Sequence, residues 1–370
     1  LEVYELLAGF PSKTTEANLR LWDLGRAAAR SPTLRATIAD TDVHDLAAAL
    51  ASTAEGRQFW ADLQTYLRTY GERSDDLYID RPGWLEQPTP ILRGLQEAVR
   101  QPDRDLAADL RGQSERRERR LAEVRAALTH HPRPVVAEFE SLLAAAQAST
   151  HLGEEHNFWI DAKITFHARR AALELGRRLA ARGAIGAPED VFQLSVAELE
   201  RAAADPASVF HSVVAERRAE AARFTGTRPP KVLGVMRPFL PMDSALMRAM
   251  FRMNGDQMSP PPKDGSLSGM PGSGGKITGP ARIVRTLAEA GKLRPGDVLV
   301  ATATLPSWTP YFAIASAVVT NTGGMLCHAA VVAREYGIPA VVGTRTATET
   351  LQDGQIVEVD GDAGTVRVVA

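Results

Sequence analysis

The sequence predicts a protein of two parts, in which a large helical domain precedes a small α/β domain. Its 370 residues suffice for two or three domains of roughly 100 to 200 residues each. Residues 1–253 are rich in Ala, Leu, Arg and Glu, and apolar residues recur three and four positions apart, which is typical of helices. Residues 267–370 change to Gly, Val, Ile and Thr in short β-type runs, which predicts a compact α/β domain.

The composition and charge exclude several classes of protein. Hydrophobic residues make up 44% and charged residues 24%, which excludes collagen-like, disordered and coiled-coil chains. The formal net charge of -2 favours a small-molecule ligand over nucleic acid or a membrane surface. The single cysteine, Cys327, excludes a disulfide framework and a cysteine-based metal site, and we expect no bound metal. Without a signal peptide or an apolar run of about 18 residues, we expect a cytoplasmic location.

Two stretches of the helical part predict amphipathic helices. They are residues 115–128 and Lys163–Ala181, and Gly183 is the expected stop of the second. Within the first, the charge run 116–120 (RRERR) is interpreted as a solvated helix face.

Residues 254–266 predict a linker between the two domains. They contain three consecutive prolines flanked by glycines, so a helix cannot continue through them. A Pro-rich segment extends by ~3.1 Å per residue, so this stretch reaches on the order of 40 Å. That reach would permit a tethered domain to move.

The α/β part contains six β-type runs and two short helical candidates. The runs are 281–284, 298–301, 317–320, 340–342, 356–359 and 365–369. The helical candidates lie near 310–316 and 326–336. The sequence DGDAG at 360–364 predicts a turn between the last two strands.

His328 is the most informative residue of the chain. A β-run ends at Gly323 and Gly324, a helix opens around 326–328, and Gly337 closes that helix. Free N–H groups and the positive dipole end of the first turn would favour an anion beside the imidazole, and the two glycines would let the backbone approach it. The same dipole would keep the imidazole neutral and nucleophilic, which predicts a phosphohistidine site. The alternative is a histidine that caps the helix.

The segment around His328 resembles the phosphohistidine swivelling domain of the phosphoenolpyruvate-utilising enzymes. The resemblance runs from SGMPGSGGKITGPARIV at 268–284, through GDVLV at 296–300 and PSWTP at 306–310, to the final hairpin. It implies that His328 carries a phosphoryl group from a nucleotide site to an acceptor. Leu326 stands where many relatives have a threonine that is phosphorylated for regulation, so we expect no regulation by that route.

The helical part is similar to the antibiotic-binding domain of the rifampin phosphotransferases, which also precedes the histidine domain. The similar stretches are YGER at 70–73, RPGW at 81–84, GEEHNFWID at 153–161 and PEDVF at 188–192. Relatives often carry histidine where this chain has Glu72, and a carboxylate there would act as a base or repel a phosphate. Arg73 is a candidate phosphate partner, with a surface salt bridge as the alternative.

A group of polar residues after position 153 predicts the acceptor pocket. We expect Glu154, Glu155 and His156 at the start of a helix that continues past residue 170. Helical steps of seven and four place His156, Lys163 and His167 near one face, beside the aromatic residues at 158 and 159. Such a pocket would supply a base for a hydroxyl proton and cations for a transferring phosphoryl group. The alternative is ordinary helix capping by the acidic residues and core packing by the aromatic ones.

The family's phosphoryl donor site is an ATP-grasp domain, and nothing in these 370 residues resembles it. We therefore expect ATP and Mg²⁺ to be bound by such a domain, either upstream of Leu1 in a longer parent chain or in a separate subunit. The expected activity of the whole is an ATP-dependent phosphotransferase acting on a hydroxyl of a small organic acceptor. One alternative is a biosynthetic dehydratase that eliminates the phosphorylated hydroxyl. Another is a binding or regulatory module without turnover.

Overall fold

The computed structural model describes residues 5–74, 78–225, 227, 234, 266–305 and 308–369. Its described helices come first and its sheet second, which confirms the predicted fold class. Apart from Ser266, the linker predicted at 254–266 lies outside the described residues, so the domain boundaries at 253 and 267 remain predictions.

The described helical part packs around one main apolar core and two smaller ones. The main core joins the first five helices, with Leu46, Leu63 and Leu95 fully buried at its centre. The described α-helices of this part are α1 (Lys13–Ala29), α2 (Pro32–Asp40), α3 (Leu46–Ala51), α4 (Ala54–Tyr70), α5 (Thr89–Arg100), α6 (Leu106–Leu128), α7 (Arg133–His156), α8 (Lys163–Ala181), α9 (Val196–Ala204) and α10 (His211–Phe224).

Helices α7 and α8 are joined without a break by a π-helix at Asn157–Ala162. The predicted bounds of α8 are confirmed, and the next glycine, Gly183, has a positive φ of 76° just after the helix. Helix α6 begins nine residues before the predicted start, because the side chain of Asp105 accepts a hydrogen bond from the N–H of Ala108 and caps it there.

The α/β part is built on one mixed eight-stranded sheet. Its strands are β1 (Leu267–Ser268), β2 (Met270–Ser273), β3 (Lys276–Ile283), β4 (Val298–Ala301), β5 (Ala317–Thr320), β6 (Ala340–Val342), β7 (Ile356–Asp360) and β8 (Thr365–Val368). The order across the sheet is β1-β8-β7-β3-β4-β5-β6-β2. Strands β3 to β6 are parallel, and the flanking pairs are antiparallel.

The described residues of the α/β part also form three short α-helices and a 3₁₀-helix at Leu287–Lys292. The α-helices are α11 (Thr309–Phe312), α12 (His328–Tyr336) and α13 (Ala347–Thr350). The predicted bounds of β4, β5 and β6 are confirmed, because these strands are apolar throughout and buried on both faces. Strands β1 and β2 were not predicted, since their Gly, Ser and Pro residues have low strand propensity and pair only with distant strands at the two edges. The candidate helix near 310–316 is shorter than expected and ends at Phe312.

The two parts are packed against each other in this structure. Arg104, just before α6, donates a hydrogen bond to the carbonyl oxygen of Ala313 after α11. Helix α11 approaches α5 closely at Gly94, where an added Cβ would lie 2.9 Å from Pro310. A buried apolar cluster crosses the boundary and contains Trp22, Ala98, Leu106 and Ala313. None of the helices in the described ranges combines the length and apolar character needed to cross a bilayer.

Candidate active site

His328 lies at the edge of the sheet where the parallel strands end. Thr304 follows β4, and a loop after β5 leads into α12, whose first residue is His328. The carboxyl ends of parallel strands share one edge, and ligands of open α/β sheets bind there. The topology therefore brings Thr304 and His328 together, although they are 24 positions apart in the chain.

Two threonine hydroxyls bracket the imidazole of His328. The Oγ1 atom of Thr304 lies 2.9 Å from Nδ1, and the Oγ1 atom of Thr309 lies 3.2 Å from Nε2. A neutral imidazole has one N–H donor and one acceptor nitrogen, whereas a hydroxyl can serve in either role. One threonine can thus donate while the other accepts. The ring of Phe312 is nearly perpendicular to the imidazole of His328, and the two ring centroids are 5.7 Å apart, which is an edge-to-face contact.

The environment keeps His328 neutral. Burial, with a smaller contribution from the positive charge of Arg73, lowers the pKa of His328 from its usual 6.5 to about 3. The cause of the lowered pKa thus differs from the helix dipole that the sequence suggested. Burial contributes most, and the second contribution comes from Arg73, a side chain of the helical part. A neutral ring nitrogen keeps its lone pair, so His328 can act as a nucleophile at pH 7.

The loop before α12 requires glycine at position 323 for a steric reason. Gly323 has a φ of 119°, and an added Cβ would lie 2.7 Å from the Sγ atom of Cys327. Gly324 is buried, and its carbonyl oxygen accepts a hydrogen bond of 3.0 Å from the N–H of Cys327. The thiol occupies the space beside Gly323, so a phosphate-binding role for Gly323 and Gly324 stays a prediction.

On the expectation that His328 is phosphorylated, replacing Thr304 by valine should slow that step without unfolding the domain. The substitution keeps the side-chain shape and removes the hydroxyl that orients Nδ1, a hydrogen bond worth about 1 kcal/mol, which corresponds to a rate loss of roughly fivefold to tenfold. The measurement is the rate at which label enters His328 from labelled ATP and a donor domain. The control is Thr322→Val on an exposed residue of the same edge, whose hydroxyl contacts only the carbonyl of Thr302 among the described residues. Equal rates for the two variants would contradict the role of Thr304.

Two stretches that the sequence singled out, YGER at 70–73 and RPGW at 81–84, lie side by side in the structure. The chain at 70–74 pairs with that at 83–85 through a bridge between Ser74 and Gly83 and a 2.8 Å hydrogen bond from the N–H of Trp84 to the carbonyl of Arg73. The guanidinium of Arg73 lies 4.3 Å from the ring centroid of Trp84 and 5.4 Å from that of Phe158. Arg73 is therefore a buried cation that packs on two aromatic faces, and its positive charge acts on His328.

Glu72, Lys163 and His167 form a second group on the helical part. One carboxylate oxygen of Glu72 lies 3.1 Å from Nζ of Lys163 and 3.5 Å from Nε2 of His167. Lys163 also lies 5.0 Å from the ring centroid of Trp159, whose side chain is about half exposed. The predicted proximity of Lys163 and His167 is confirmed, and Glu72 joins them from a distant part of the chain.

The expectation that Glu154, Glu155 and His156 begin a helix is wrong. They form the last turn of α7, and the chain continues as a π-helix into α8. The wider turn separates hydrogen-bonded neighbours by five residues rather than four, and Nδ1 of His156 lies 3.0 Å from a carboxylate oxygen of Asp161. His156 therefore leaves the face expected from α-helical spacing, on which Lys163 and His167 contact Glu72. Glu155 lines a separate surface groove with Ser12 and Glu16.

Sequence reasoning missed three polar residues beside this group. The hydroxyl of Tyr70 donates a 2.6 Å hydrogen bond to Glu16, which also pairs with Lys13 at 2.7 Å. The hydrogen bonds from Lys13 and Tyr70 hold the pKa of Glu16 below its usual range, while burial and Glu16 raise the pKa of Tyr70 to about 12. Lys13 lies 6.0 Å from the ring centroid of Trp159, so this trio adjoins the aromatic side of the Lys163 group. Of the three, only Tyr70 lies in a stretch that the sequence singled out, YGER at 70–73.

Two family models match the chain. The mobile domain of PEP-utilising enzymes matches residues 293–364, which include His328, and the fourth domain of rifampicin phosphotransferase matches residues 2–154. The first covers the histidine-bearing edge of the sheet, and the second covers most of the helical core.

Curated relatives align with nearly the whole chain. The chondramide synthase CmdD of Chondromyces crocatus is 46% identical over 377 residues, covering 100% of this chain and 10% of that protein. The uncharacterized phosphotransferase YvkC of Bacillus subtilis is 33% identical, covering 99% of this chain and 43% of that protein. The rifampicin phosphotransferase of Streptomyces sviceus is 30% identical, covering 96% and 40%. The chain thus spans less than half the length of each of these relatives.

Proposed function

The chain belongs to the family of phosphoenolpyruvate-utilising enzymes, and on that premise we propose that it is the carrier and acceptor part of an ATP-dependent phosphotransferase. In this proposal His328 takes a phosphoryl group at a separate ATP-grasp domain and delivers it to a hydroxyl of a small organic acceptor. The helical part binds that acceptor. The observation that carries the proposal is the neutral imidazole of His328, which has a threonine hydroxyl at each ring nitrogen and is influenced by the charge of the buried Arg73 of the helical part.

The contacts of the imidazole favour one nitrogen as the carrier atom. Thr304 holds Nδ1 at 2.9 Å, whereas the contact of Nε2 with Thr309 is longer at 3.2 Å. We therefore assign the phosphoryl group to Nε2, with Thr304 fixing the ring and accepting the Nδ1 proton in a hydrogen bond. The hydroxyl of Thr309 would then turn from the ring nitrogen to an oxygen of the phosphoryl group.

The transfer step needs a cation for the phosphoryl group and a base for the acceptor proton. In that step the P–N bond to His328 breaks, a P–O bond to the acceptor forms, and the hydroxyl proton leaves to a base. The positive charge of Arg73 acts on His328, and in the transfer step it would stabilise the transferring group. Glu72 is adjacent in the chain and is the base we assign, with Lys163 and His167 holding its carboxylate.

The donor half of the cycle belongs to the separate ATP-grasp domain. There ATP, with Mg²⁺ bound, would give one phosphoryl group to His328 and the other to a water molecule, which yields AMP and phosphate. ATP and Mg²⁺ are assigned to that domain. The histidine domain would then turn about the Pro-rich segment 254–266 to reach the helical part. The packed arrangement described above corresponds to the acceptor stage of that cycle.

The names of two relatives bear on the acceptor. One is called a chondramide synthase and another a rifampicin phosphotransferase. The second name gives rifampicin as the molecule phosphorylated by that protein, which supports an organic acceptor for this chain. Transfer and elimination remain two outcomes of the same phosphorylated hydroxyl, and product mass separates them. Transfer adds the mass of a phosphoryl group to the acceptor, whereas elimination removes the mass of water.

The test is to incubate the chain with a donor ATP-grasp domain and ATP labelled in the transferred phosphate. We expect acid-labile, alkali-stable label on the chain, because phosphohistidine has that stability, and loss of this label when an acceptor is added. Peptide mapping should place it at His328. Absence of label on the chain, with a donor domain that is shown to phosphorylate its own native carrier, would contradict the proposal.

A further inference from the structure

A cleft of about 470 Å³ lies between the two parts of the protein, apart from the residues assigned above to transfer. One wall is helix α6. The opposite wall is formed by the last residue of β2 and the start of the following loop, at 273–275, together with the end of α12. Its size is within the range of small-molecule sites, roughly 300 to 1,000 Å³. Because both parts contribute a wall, the complete cleft exists only while they are packed together.

The cleft is lined by five arginines and three carboxylates. The arginines are Arg116, Arg117, Arg119 and Arg120 of α6 and Arg334 of α12. The carboxylates are Glu5, Glu123 and Asp362. The balance is positive, although the whole chain carries a net charge of -2. The prediction that the run 116–120 is only a solvated helix face thus holds for part of it, since Arg117 and Arg120 are partly buried against other segments.

The carboxylates of the cleft already have partners. Glu123 pairs with Arg120 at 2.6 Å, and Glu5 pairs with the same arginine at 3.5 Å. Asp362 accepts a 3.0 Å hydrogen bond from the N–H of Gly275. Among the described residues, by contrast, Arg116 and Arg119 have neither a hydrogen bond nor an ion pair through their side chains. Their guanidinium groups are therefore available to a ligand.

The other arginines are positioned by backbone and aromatic contacts. Arg117 donates a 2.8 Å hydrogen bond to the carbonyl of Ala8 and lies 4.1 Å from the ring centroid of Phe10. Arg334 donates a 2.7 Å hydrogen bond to the carbonyl of Met325. Arg116 reaches toward the opposite wall, because an added Cβ on Gly337 would lie 4.0 Å from its Nη2 atom. Cations from both parts thus meet at one place.

A buried amide gives independent support for a ligand. Gln113 on α6 is 3% exposed and lines the cleft, and neither its Nε2 nor its Oε1 atom has a hydrogen-bond partner among the described residues. Buried side-chain amides are nearly always hydrogen-bonded, so one left without partners calls for an explanation. A ligand with hydrogen-bonding oxygens in the cleft would satisfy it.

We propose that this cleft binds a phosphate-bearing anion and that the bound anion holds the two parts in their packed arrangement. Guanidinium groups bind phosphate oxygens through paired, charge-assisted hydrogen bonds, and several of them converge here. A ligand that binds only the packed arrangement shifts the population toward it. The anion would therefore oppose departure of the histidine domain. This inference concerns binding and does not depend on phosphoryl transfer by His328.

The test is calorimetric titration of the chain with inorganic phosphate, diphosphate and AMP, each at an ionic strength matched with sodium chloride. We expect at least one of them to bind with one-to-one stoichiometry, and the three arms distinguish free phosphate from a nucleotide. The double variant Arg116→Gln/Arg119→Gln should lose about tenfold or more in affinity, which is about 1.4 kcal/mol. Small-angle scattering should show a smaller radius of gyration with the bound anion than with chloride alone.

The matched control is Arg35→Gln/Arg223→Gln, which removes the same charge at two exposed arginines outside the cleft. It should bind with unchanged affinity, and so should His328→Ala, which disables the proposed carrier but leaves the cleft intact. No binding beyond that of chloride in any arm would overturn the inference. So would an equal loss of affinity in the two double variants, since that would indicate a general effect of charge. Unfolding midpoints of all variants check that each is folded.

Discussion

Replacing His328 by alanine should abolish labelling of the chain by ATP and the donor domain, and should lower overall turnover by on the order of 10⁴-fold or more. The expectation rests on the neutral imidazole, whose pKa lies at about 3, so that its lone pair is available for attack at pH 7. The measurements are the amount of acid-labile label bound per chain and the rate of product formation. No other described histidine combines burial at the sheet edge with hydroxyl contacts on both ring nitrogens.

A second substitution separates lost chemistry from lost folding. His328→Gln keeps a side chain of similar length whose amide can still contact Thr304 and Thr309, and it should be as inactive as the alanine variant while unfolding at nearly the wild-type temperature. The matched control is His44→Ala at an exposed histidine of the helical part, which should label normally. Label retained by both His328 variants would show that another residue carries the phosphoryl group.

Replacing Arg73 by methionine should leave labelling of His328 intact and slow delivery of the phosphoryl group to the acceptor by about 10² to 10³-fold, the usual cost of removing one transition-state donor. Methionine preserves much of the apolar contact with Trp84 and Phe158 and removes the charge. The measurement is a single-turnover chase, in which pre-labelled chain is mixed with acceptor and the loss of label is followed.

The Arg73 variant has a further readout that a purely structural role would not change. The charge of Arg73 contributes to the low pKa of His328, so Arg73→Met should raise that pKa, which can be followed by NMR titration of the imidazole. The control is Arg68→Met on the exposed face of α4, which should alter neither the chase nor the titration. A normal chase rate in the Arg73 variant would exclude Arg73 from the transfer step.

The histidine domain was predictable because its signals are local. Strands β4, β5 and β6 are short, apolar and bounded by turn residues, and the αL conformation of Gly337 closes the helix that His328 opens. His328 could therefore be placed at a helix start from neighbouring residues alone. Its two threonine partners could not, because Thr304 and Thr309 reach the ring only through the order of the parallel strands and the position of α11.

The group of residues proposed to bind the acceptor was predictable only in part. Its geometry depends on a π-helical turn and on contacts between residues that lie far apart in the chain. Periodicity correctly placed Lys163 and His167 one turn apart, four residues being close to one turn of an α-helix. Periodicity misplaced His156 relative to Lys163, because the π-helix at Asn157–Ala162 lies between these two residues and changes the helical spacing. Nothing in the local sequence indicated that Tyr70 would hydrogen-bond Glu16 across 54 positions.

The sequence by itself determined the fold class, the order of the two parts and the identity of the histidine, since these depend on composition, strand and helix signals and a local motif. The tertiary structure decided the environment of the histidine. Its surroundings in the folded chain, with a smaller contribution from the charge of Arg73 on the helical part, lower the pKa of the imidazole to about 3. The tertiary structure also assembles a cleft from arginines of α6 and α12. Both features arise from contacts between distant segments, because burial and charge act through space rather than along the chain.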